Sequence, residues 1–268
     1  MTGKSLRLTR LSRPGDGRFL FVPMDHSVAD GPIAGTAAFN RLVREVAGAG
    51  ADGIVVHKGR ARSLDPALLT GTALLVHLSA STPHAADPEA KVLVGDVEEA
   101  VRAGADAVSV HINVGSETEA RQLADLGAVA AACDRWGMPL LAMMYARGPH
   151  IQNPRDPALL AHVVSIAVDL GADIVKTVSA VDSKDMASIA ASSPIPVVVA
   201  GGAPGNGDLS VFAHSVMASG CRGLAVGRRV FESSDPGAEV RLLAEVVHAE
   251  AYESDPETPT FREMAGAI

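Results

Sequence analysis

Aromatic side chains are scarce in this sequence, because phenylalanine, tyrosine and tryptophan together make up only 3% of its 268 residues. Alanine, valine and leucine must therefore fill most of the core of a chain that is 47% hydrophobic. Charged residues make up 20%, so the composition is that of a globular protein and excludes an intrinsically disordered one. We expect a single domain over residues 1–268, with residues 1–18 as an N-terminal extension and residues 253–268 as a polar C-terminal tail.

The sequence also lacks an excess of positive charge. It has 23 lysine and arginine residues against 31 aspartate and glutamate residues, which gives a net charge of −8. This balance argues against nucleic acid as a main partner. An anionic substrate would need a local group of positive side chains in an otherwise acidic protein.

Cysteines and long apolar runs are rare as well. The two cysteines, Cys133 and Cys221, lie far apart and without metal-ligand spacing, and we interpret them as buried thiols in a reducing compartment. The basic segment Met1–Arg18 lacks the apolar core of a signal peptide. No apolar run is long enough to span a bilayer. We therefore expect a cytoplasmic protein without a membrane partner.

Short runs rich in valine and leucine alternate with alanine-rich amphipathic runs. Each short run is apolar along its whole length, which is typical of buried parallel strands. The predicted strands are Phe19–Met24, Gly53–His57, Leu74–Ser79, Ala107–Ile112, Leu140–Tyr145, Ile174–Val178, Pro196–Ala200 and Gly223–Val226. The helical patterns between them include Glu119–Trp136, Pro157–Leu170, Leu209–Ser219 and Ala238–Glu250. We interpret the apolar run Lys91–Val94 as an extra turn before a helix at Val97–Ala103.

Three of the helical patterns end in the same tripeptide, Gly-Ala-Asp, at residues 50–52, 104–106 and 171–173. A glycine at that point suits a helix C-cap, and the next strand follows at once. The repeated unit is therefore a strand followed by a helix. Eight such units predict an α/β fold, a closed (β/α)8 TIM barrel. A doubly wound open sheet is the alternative, but the regular units favour closure.

In such barrels the chemistry lies at the carboxyl ends of the strands, and Lys176 lies within the sixth predicted strand. A lysine in an apolar strand must pair with a carboxylate or give up its proton more readily than usual. One interpretation is a core lysine that Asp25 neutralises. The other is a lysine that forms a Schiff base with a ketone, with Asp25 and Tyr145 as nearby proton-transfer groups. The residues alone leave both interpretations open.

Glycine-rich turns follow the seventh and eighth predicted strands, where barrels commonly bind phosphate. The residues concerned are Gly201, Gly202, Gly227 and Arg228. Backbone N–H groups would hold the phosphate oxygens, and Arg228 would add a charged contact. The alternative is that the glycines only form tight turns. His26, which follows the first predicted strand, is a further candidate for substrate binding.

Two more cations, Lys58 and Arg147, follow the second and fifth predicted strands. We expect Lys58 at the rim of the barrel, where it would contact a phosphate or substrate anion or remain solvated, and Arg147 is a second candidate for such a contact. His57, His77 and His111 recur in three strands, which offers a metal site as an alternative. Each histidine lacks the paired spacing of metal motifs, so we expect no metal.

Five segments carry a resemblance to a known family: residues 24–32, 56–59, 105–116, 136–145 and 227–229. They resemble the 2-amino-3,7-dideoxy-D-threo-hept-6-ulosonate synthases, which belong with the archaeal-type class I fructose-bisphosphate aldolases and the DeoC/LacD-like aldolases. The resemblance extends from Gly3 to about Ala249. Two residues beside the candidate site depart from the family pattern: Ser27 stands where the family has glycine, and Ala146 where it has proline.

The resemblance implies a (β/α)8 barrel that works through a lysine Schiff base and needs neither a metal nor another cofactor. By motif, Lys176 would be the Schiff-base lysine, Tyr145 the proton donor and acceptor, and Asp25 the carboxylate that assists carbinolamine formation. The family's phosphate site would fall on Gly201, Gly202, Gly227 and Arg228. Family members assemble as large homo-oligomers, often decamers, so the resemblance also implies a homo-oligomer.

By the same resemblance, the expected reaction joins a ketol unit from a sugar phosphate to an aldehyde. The donor would be dihydroxyacetone phosphate or a deoxy-ketohexose phosphate, and the acceptor L-aspartate 4-semialdehyde. The product would be a seven-carbon amino-acid precursor of aromatic or aminohydroxybenzoate-type compounds. Cleavage of fructose 1,6-bisphosphate by the same chemistry is the alternative. A further alternative, from another class of protein, is a barrel that binds a phosphorylated metabolite without catalysis.

Overall fold

A closed parallel barrel forms the centre of the protein, in a computed structural model that describes residues 2–203, 205 and 207–249. The strands are β1 (Phe19–Pro23), β2 (Gly53–His57), β3 (Ala73–His77), β4 (Ser79–Ala80), β5 (Val92–Leu93), β6 (Ala107–Val114), β7 (Leu140–Ala146), β8 (Ile174–Thr177), β9 (Val197–Ala200) and β10 (Gly223–Ala225). All but β4 and β5 belong to the barrel, in the order β1, β10, β9, β8, β7, β6, β3, β2. Each predicted strand overlaps one barrel strand, and the predicted TIM barrel is confirmed.

Helices surround the barrel. They are α1 (Gly3–Leu8), α2 (Thr36–Gly48), α3 (Lys58–Ala61), α4 (Val97–Arg102), α5 (Glu119–Trp136), α6 (Pro157–Asp169), α7 (Ser183–Ser192), α8 (Leu209–Ala218), α9 (Arg228–Phe231) and α10 (Pro236–Val247), with a short 3-10 helix at Pro66–Leu69. No helix among the described residues is long and apolar enough to cross a membrane. The predicted C-terminal tail, residues 253–268, lies outside the described residues.

The segment Lys91–Val94 does not form the predicted extra turn. Val92–Leu93 instead forms β5, which pairs antiparallel with β4 just after the carboxyl end of β3. The N–H of Val94 also donates to the carbonyl oxygen of Leu78 at 2.8 Å. β-Branched valines favour the extended conformation, and the partner strand lies earlier in the chain, so a four-residue pattern does not reveal the pairing. The β4–β5 hairpin is therefore an addition to the barrel at its carboxyl end.

The repeated Gly-Ala-Asp tripeptides join helices to strands at the amino end of the barrel. Their glycines, Gly50, Gly104 and Gly171, have φ angles of 103°, 79° and 87°, in the left-handed region that glycine adopts most readily. The aspartates accept hydrogen bonds from neighbouring strands: Asp52 from Leu20 N–H at 2.6 Å, Asp106 from Leu74 N–H at 3.2 Å and Asp173 from Leu140 N–H at 2.8 Å. Each tripeptide thus ends a helix and also ties together the adjacent strands.

Apolar side chains fill the barrel interior up to the level of the pocket. Phe19, Phe21 and Leu75 are fully buried there, and a second apolar layer separates the strands from the surrounding helices. Leu8 and Leu11 from the N-terminal extension join the interior layer. The extension therefore covers the amino end of the barrel, and the carboxyl end is left for a pocket.

Candidate active site

A pocket of about 360 Å³ lies at the carboxyl end of the barrel. All but one of the site residues predicted from the sequence line it. They are Asp25, His26, Tyr145, Arg147, Lys176, Gly201, Gly202, Gly227 and Arg228. The fold therefore brings together, from five different strand ends, residues that are widely separated in the chain.

Lys58 is the exception. Its Nζ donates a hydrogen bond to Glu99 Oε2 at 2.7 Å, and Arg62 also lies 3.5 Å from Glu99. The charge of Lys58 is thus balanced outside the pocket, and the structure gives no support to the predicted contact with a substrate anion. Its partner is 41 residues further along the chain, so the sequence around Lys58 could not indicate the pairing.

Lys176 lies in β8 with its side chain in the pocket. The residue is only 6% exposed. Its Nζ contacts Met143 Sδ at 3.8 Å, and a thioether is a weak hydrogen-bond acceptor. Lys176 forms no salt bridge with any carboxylate of the described residues. The interpretation of Lys176 as a core lysine neutralised by Asp25 therefore lacks the direct ion pair that it requires.

Asp25 follows β1 and places its carboxylate between two histidines. Oδ1 lies 3.5 Å from His26 Nδ1, and Oδ2 lies 3.7 Å from His77 Nε2. Burial raises the pKa of Asp25, but the charges of His77, His26 and Lys176 outweigh burial and lower the pKa to about 2. Burial lowers the pKa of His77 to about 4, against the opposing effect of Asp25. At neutral pH the pocket therefore holds an ionised Asp25 beside a neutral His77.

Tyr145 lies near the end of β7 and is 7% exposed. Its ring packs against the ring of His111, with centroids 4.9 Å apart, and the guanidinium carbon of Arg147 lies 4.5 Å from its centroid. These two contacts hold the ring in place. A phenol, an amine and an ionised carboxylate, from Tyr145, Lys176 and Asp25, thus share one cavity.

The metal alternative places His57, His77 and His111 in one site, and all three line the pocket. Two of them have other partners, because His77 Nδ1 lies 2.8 Å from Ser109 Oγ and His111 Nε2 lies 2.9 Å from Asn113 Oδ1. Within residues 2–203, 205 and 207–249, no three histidine, cysteine, aspartate or glutamate side chains come together as a metal site requires. That part of the chain therefore contains no ligand cluster for the metal alternative.

The turn after β10 borders the pocket where the phosphate site is predicted. A Cβ at Gly227 would lie 2.6 Å from the carbonyl oxygen of Pro23 and 2.7 Å from His26 Cε1, so the site accommodates only glycine. Gly227 precedes α9, which Arg228 begins. The first N–H groups of a helix have no partner within the helix. This turn therefore presents amide donors together with a guanidinium group.

The turn after β9 has fewer free backbone donors than the predicted phosphate site requires. The N–H of Gly201 already donates to the carbonyl oxygen of Ala225 at 3.0 Å, so it is not free to bind an anion. Gly202 has a φ of 73°, in the left-handed region. Any backbone donors from this turn would therefore begin at Gly202.

The pocket also contains a lysine that the sequence did not single out, Lys91 on the β4–β5 hairpin. Its Nζ donates to Ser81 Oγ and, at 3.3 Å, to the carbonyl oxygen of Pro88. Burial, reinforced by the charge of Arg147 and opposed by Glu89, lowers the pKa of Lys91. The sequence signal was a lysine at the start of a Val-Leu-Val run, and the incorrect prediction of an extra turn kept Lys91 from being recognised as a pocket residue.

The comparisons with known proteins agree with this arrangement. The model of the DeoC/LacD family aldolases matches residues 19–233. A 2-amino-4,5-dihydroxy-6-oxo-7-(phosphonooxy)heptanoate synthase of Streptomyces griseus is 53% identical over 247 residues, which cover 91% of this chain and 90% of that protein. A 2-amino-3,7-dideoxy-D-threo-hept-6-ulosonate synthase of Halobacterium salinarum is 41% identical over 262 residues, which cover 97% and 96%.

Solved structures show the same architecture. An archaeal fructose 1,6-bisphosphate aldolase superposes with a TM-score of 0.81 at 28% identity, covering 91% of this chain and 98% of that one. A Schiff base forming fructose-1,6-bisphosphate aldolase has the same TM-score and identity, covering 91% and 100%. The family match spans every strand of the barrel. The chain therefore belongs to the DeoC/LacD family of aldolases, as the resemblance implied, and is a class I aldolase.

Proposed function

We propose that this protein joins dihydroxyacetone phosphate to L-aspartate 4-semialdehyde through a Schiff base on Lys176, with Tyr145 and Asp25 as the proton-transfer groups. The position of Lys176 carries the proposal. Its amine lies in the pocket beside the sulfur of Met143, and it has no salt bridge to a carboxylate of the described residues. A neutral amine is the form that attacks a carbonyl carbon, and an amine without a carboxylate partner is available for that attack.

The names of the two synthase relatives point to the substrates. Division of 2-amino-4,5-dihydroxy-6-oxo-7-(phosphonooxy)heptanoate between its hydroxylated carbons gives aspartate 4-semialdehyde and dihydroxyacetone phosphate. The same division of 2-amino-3,7-dideoxy-hept-6-ulosonate gives the same aldehyde and a ketone fragment that lacks the phosphate. This chain shares 53% of its aligned residues with the first relative and 41% with the second. We therefore favour dihydroxyacetone phosphate over a deoxy-ketohexose phosphate as the donor.

The chemistry begins and ends at the amine of Lys176. The amine adds to the donor ketone, and the carbinolamine loses water to give an iminium ion. The neighbouring hydroxymethyl carbon then loses a proton, and the resulting enamine carbon forms a bond to the aldehyde carbon of the acceptor. Proton transfer to the new alkoxide and hydrolysis of the iminium release the product and restore the amine.

Two groups in the pocket suit the proton transfers. We assign to Tyr145 the donation and removal of protons during dehydration and bond formation, which general acid–base catalysis requires. Asp25 is ionised at neutral pH, because its pKa is about 2. It can therefore accept a proton during carbinolamine formation and offset the positive charge of the iminium ion.

For the donor phosphate we propose the two turns after β9 and β10. Arg228 lines the pocket there and forms no salt bridge within the described part of the chain, so its charge is available to an anion. Gly202 and Gly227 let the backbone come close to the phosphate oxygens. His26 borders the same region and is a further candidate contact.

A product assay tests the proposal. The protein is incubated with both substrates and a chelator, and the products are analysed by mass spectrometry. We expect a seven-carbon amino keto-acid phosphate, and we expect none from a Lys176→Met variant that unfolds at the same urea concentration. Absence of the product with dihydroxyacetone phosphate would refute the proposed reaction, and a product formed only from a deoxy-ketohexose phosphate would make that sugar the donor.

Fructose 1,6-bisphosphate cleavage is the second candidate, because the superposed structures are those of fructose 1,6-bisphosphate aldolases. Those structures are 28% identical to this chain, whereas the two synthases are 53% and 41% identical. We therefore place this candidate second. Turnover of the bisphosphate at a rate equal to or above that of the condensation would reverse the order.

We also propose that the protein is a cytoplasmic homo-oligomer. The resemblance supports a homo-oligomer, and the exposed side chains of Leu6 and Trp136 supply apolar surface for a subunit contact. Light scattering after size-exclusion chromatography measures the mass of the assembly.

A cytoplasmic location fits Cys133 and Cys221, which are free and buried. Burial raises the pKa of both thiols to about 12, which keeps them unreactive in a reducing compartment.

A further inference from the structure

The two ends of the pocket differ in their charged groups. The order of the strands puts β9 and β10, which precede the glycine turns, across the barrel from β3 and β6. The β4–β5 hairpin rises from the end of β3 and brings Lys91 to that far side, where Arg147 follows β7. The pocket therefore has a second cationic end, separate from Arg228.

The positive charge of Lys91 is only partly balanced by its neighbours. Its Nζ donates to a hydroxyl and a carbonyl oxygen, those of Ser81 and Pro88, and both partners are neutral. Among the described residues it forms no salt bridge with a carboxylate. A partly buried ammonium group that is held by neutral acceptors keeps its charge available for an anion that enters the pocket.

Arg147 is more firmly engaged. Its guanidinium group stacks on Tyr145 at 4.5 Å and lies 3.9 Å from Glu89 Oε2. That carboxylate oxygen is buried and has no hydrogen-bond partner, and its charge acts on Lys91 as well as on Arg147. Lys91, Arg147 and Glu89 together leave one net positive charge, and Asp25 and Asp30 reduce the positive field at Lys91 further. This end therefore matches a monoanion better than a phosphate dianion.

We propose that Lys91 binds the carboxylate of an amino-acid aldehyde and so selects L-aspartate 4-semialdehyde as the acceptor. This inference rests on the proposed function and identifies its specificity-determining residue. Asp30 lines the same pocket and its charge acts on Lys91, so a negative group is available for the α-ammonium of such a substrate. A phosphorylated aldehyde, which carries more negative charge and no ammonium group, fits this end less well.

Steady-state kinetics test the assignment with three variants. Lys91→Met removes the charge, Lys91→Arg keeps it, and Lys184→Met changes an exposed lysine on α7 that lies outside the pocket. The acceptors are L-aspartate 4-semialdehyde and propanal, which has no carboxylate, at saturating dihydroxyacetone phosphate. Borohydride reduction with the donor alone reports the Schiff base in each variant.

We expect Lys91→Met to raise KM for L-aspartate 4-semialdehyde by about 10–100-fold, the range for a lost hydrogen bond to a charged group. Its kcat, its KM for propanal and its borohydride adduct should stay close to those of the wild type. Lys91→Arg should recover most of the affinity, and Lys184→Met should behave as the wild type.

An equal loss with both aldehydes, or an unchanged KM in Lys91→Met, would overturn the assignment while leaving the donor adduct intact. Absence of the donor adduct in the wild-type protein is a different result. It would overturn the proposed function and the role of Lys91 with it.

Discussion

Replacement of Lys4 by methionine tests how the N-terminal helix is held against the barrel. Lys4 Nζ lies 3.2 Å from Asp173, whose side chain is 3% exposed, and 2.7 Å from Asp134, whose side chain is 72% exposed. At an effective dielectric constant of about 20, two unit charges at about 3 Å attract by about 5 kcal/mol before desolvation is subtracted. Removal of one partner from a buried pair costs about 3–5 kcal/mol, because the other charge remains buried. An exposed pair contributes at most about 1 kcal/mol.

We therefore expect Lys4→Met to lower the free energy of unfolding by about 3 kcal/mol, and the control Asp134→Asn to lower it by less than about 1 kcal/mol. Urea unfolding followed by circular dichroism measures both. Turnover below the transition should not change, because Lys4 lies at the end of the barrel opposite the pocket. Equal losses in the two variants would refute the idea that the buried pair with Asp173 holds the helix.

The same pair predicts a dependence on pH. Burial raises the pKa of Asp173, although Lys4 opposes the shift. A carboxyl group with a raised pKa in the folded state costs stability while it is ionised, and the cost is lost as pH falls through that pKa. The destabilisation of Lys4→Met should therefore be smaller at pH 4 than at pH 7. A loss that is the same at both pH values would mean that Asp173 does not titrate in this way.

Two further variants probe the catalytic proton transfers and the amino end of the barrel. Tyr145→Phe should slow turnover by about 10²–10⁴-fold, the range for a positioned acid–base group; a near-wild-type rate would move that role to another residue. His248 lies 2.5 Å from Asp16 and 3.1 Å from Asp52, and these hydrogen bonds outweigh burial and raise its pKa. Its contribution is fully present below pH 6.5 and is lost as pH rises through the raised pKa, so His248→Ala should destabilise the fold more at pH 6 than at pH 9. Urea unfolding at the two values checks this, and a larger loss at pH 9 would contradict it.

Local patterns in the sequence predicted most of the barrel. The strands are continuous apolar runs because both faces of each strand are covered, and this leaves a signal that a short window detects. The glycines of the Gly-Ala-Asp tripeptides marked the helix ends correctly, since their positive φ angles are a local requirement. The hydrogen bonds of the aspartates could not be predicted from the pattern, because they reach strands about 30 residues earlier in the chain.

The pocket could be predicted where one residue differs from its surroundings. Lys176 is a single charge in an apolar strand, and the structure places it in the pocket with Asp25 and Tyr145. The same reasoning could not show that Lys91 lines the pocket and Lys58 lies outside it. Lys58 is held by Glu99, and Lys91 reaches the pocket only because β5 pairs with β4. Both outcomes depend on contacts between distant segments.

Trapping of the Schiff base tests the central claim most directly. The protein is incubated with dihydroxyacetone phosphate and a chelator, reduced with borohydride, and examined by intact mass and peptide mapping. We predict one adduct, on Lys176, and no adduct in Lys176→Ala, which should fold because the lost group is polar and the pocket admits water. An adduct on another lysine, or none together with activity that the chelator abolishes, would contradict the account.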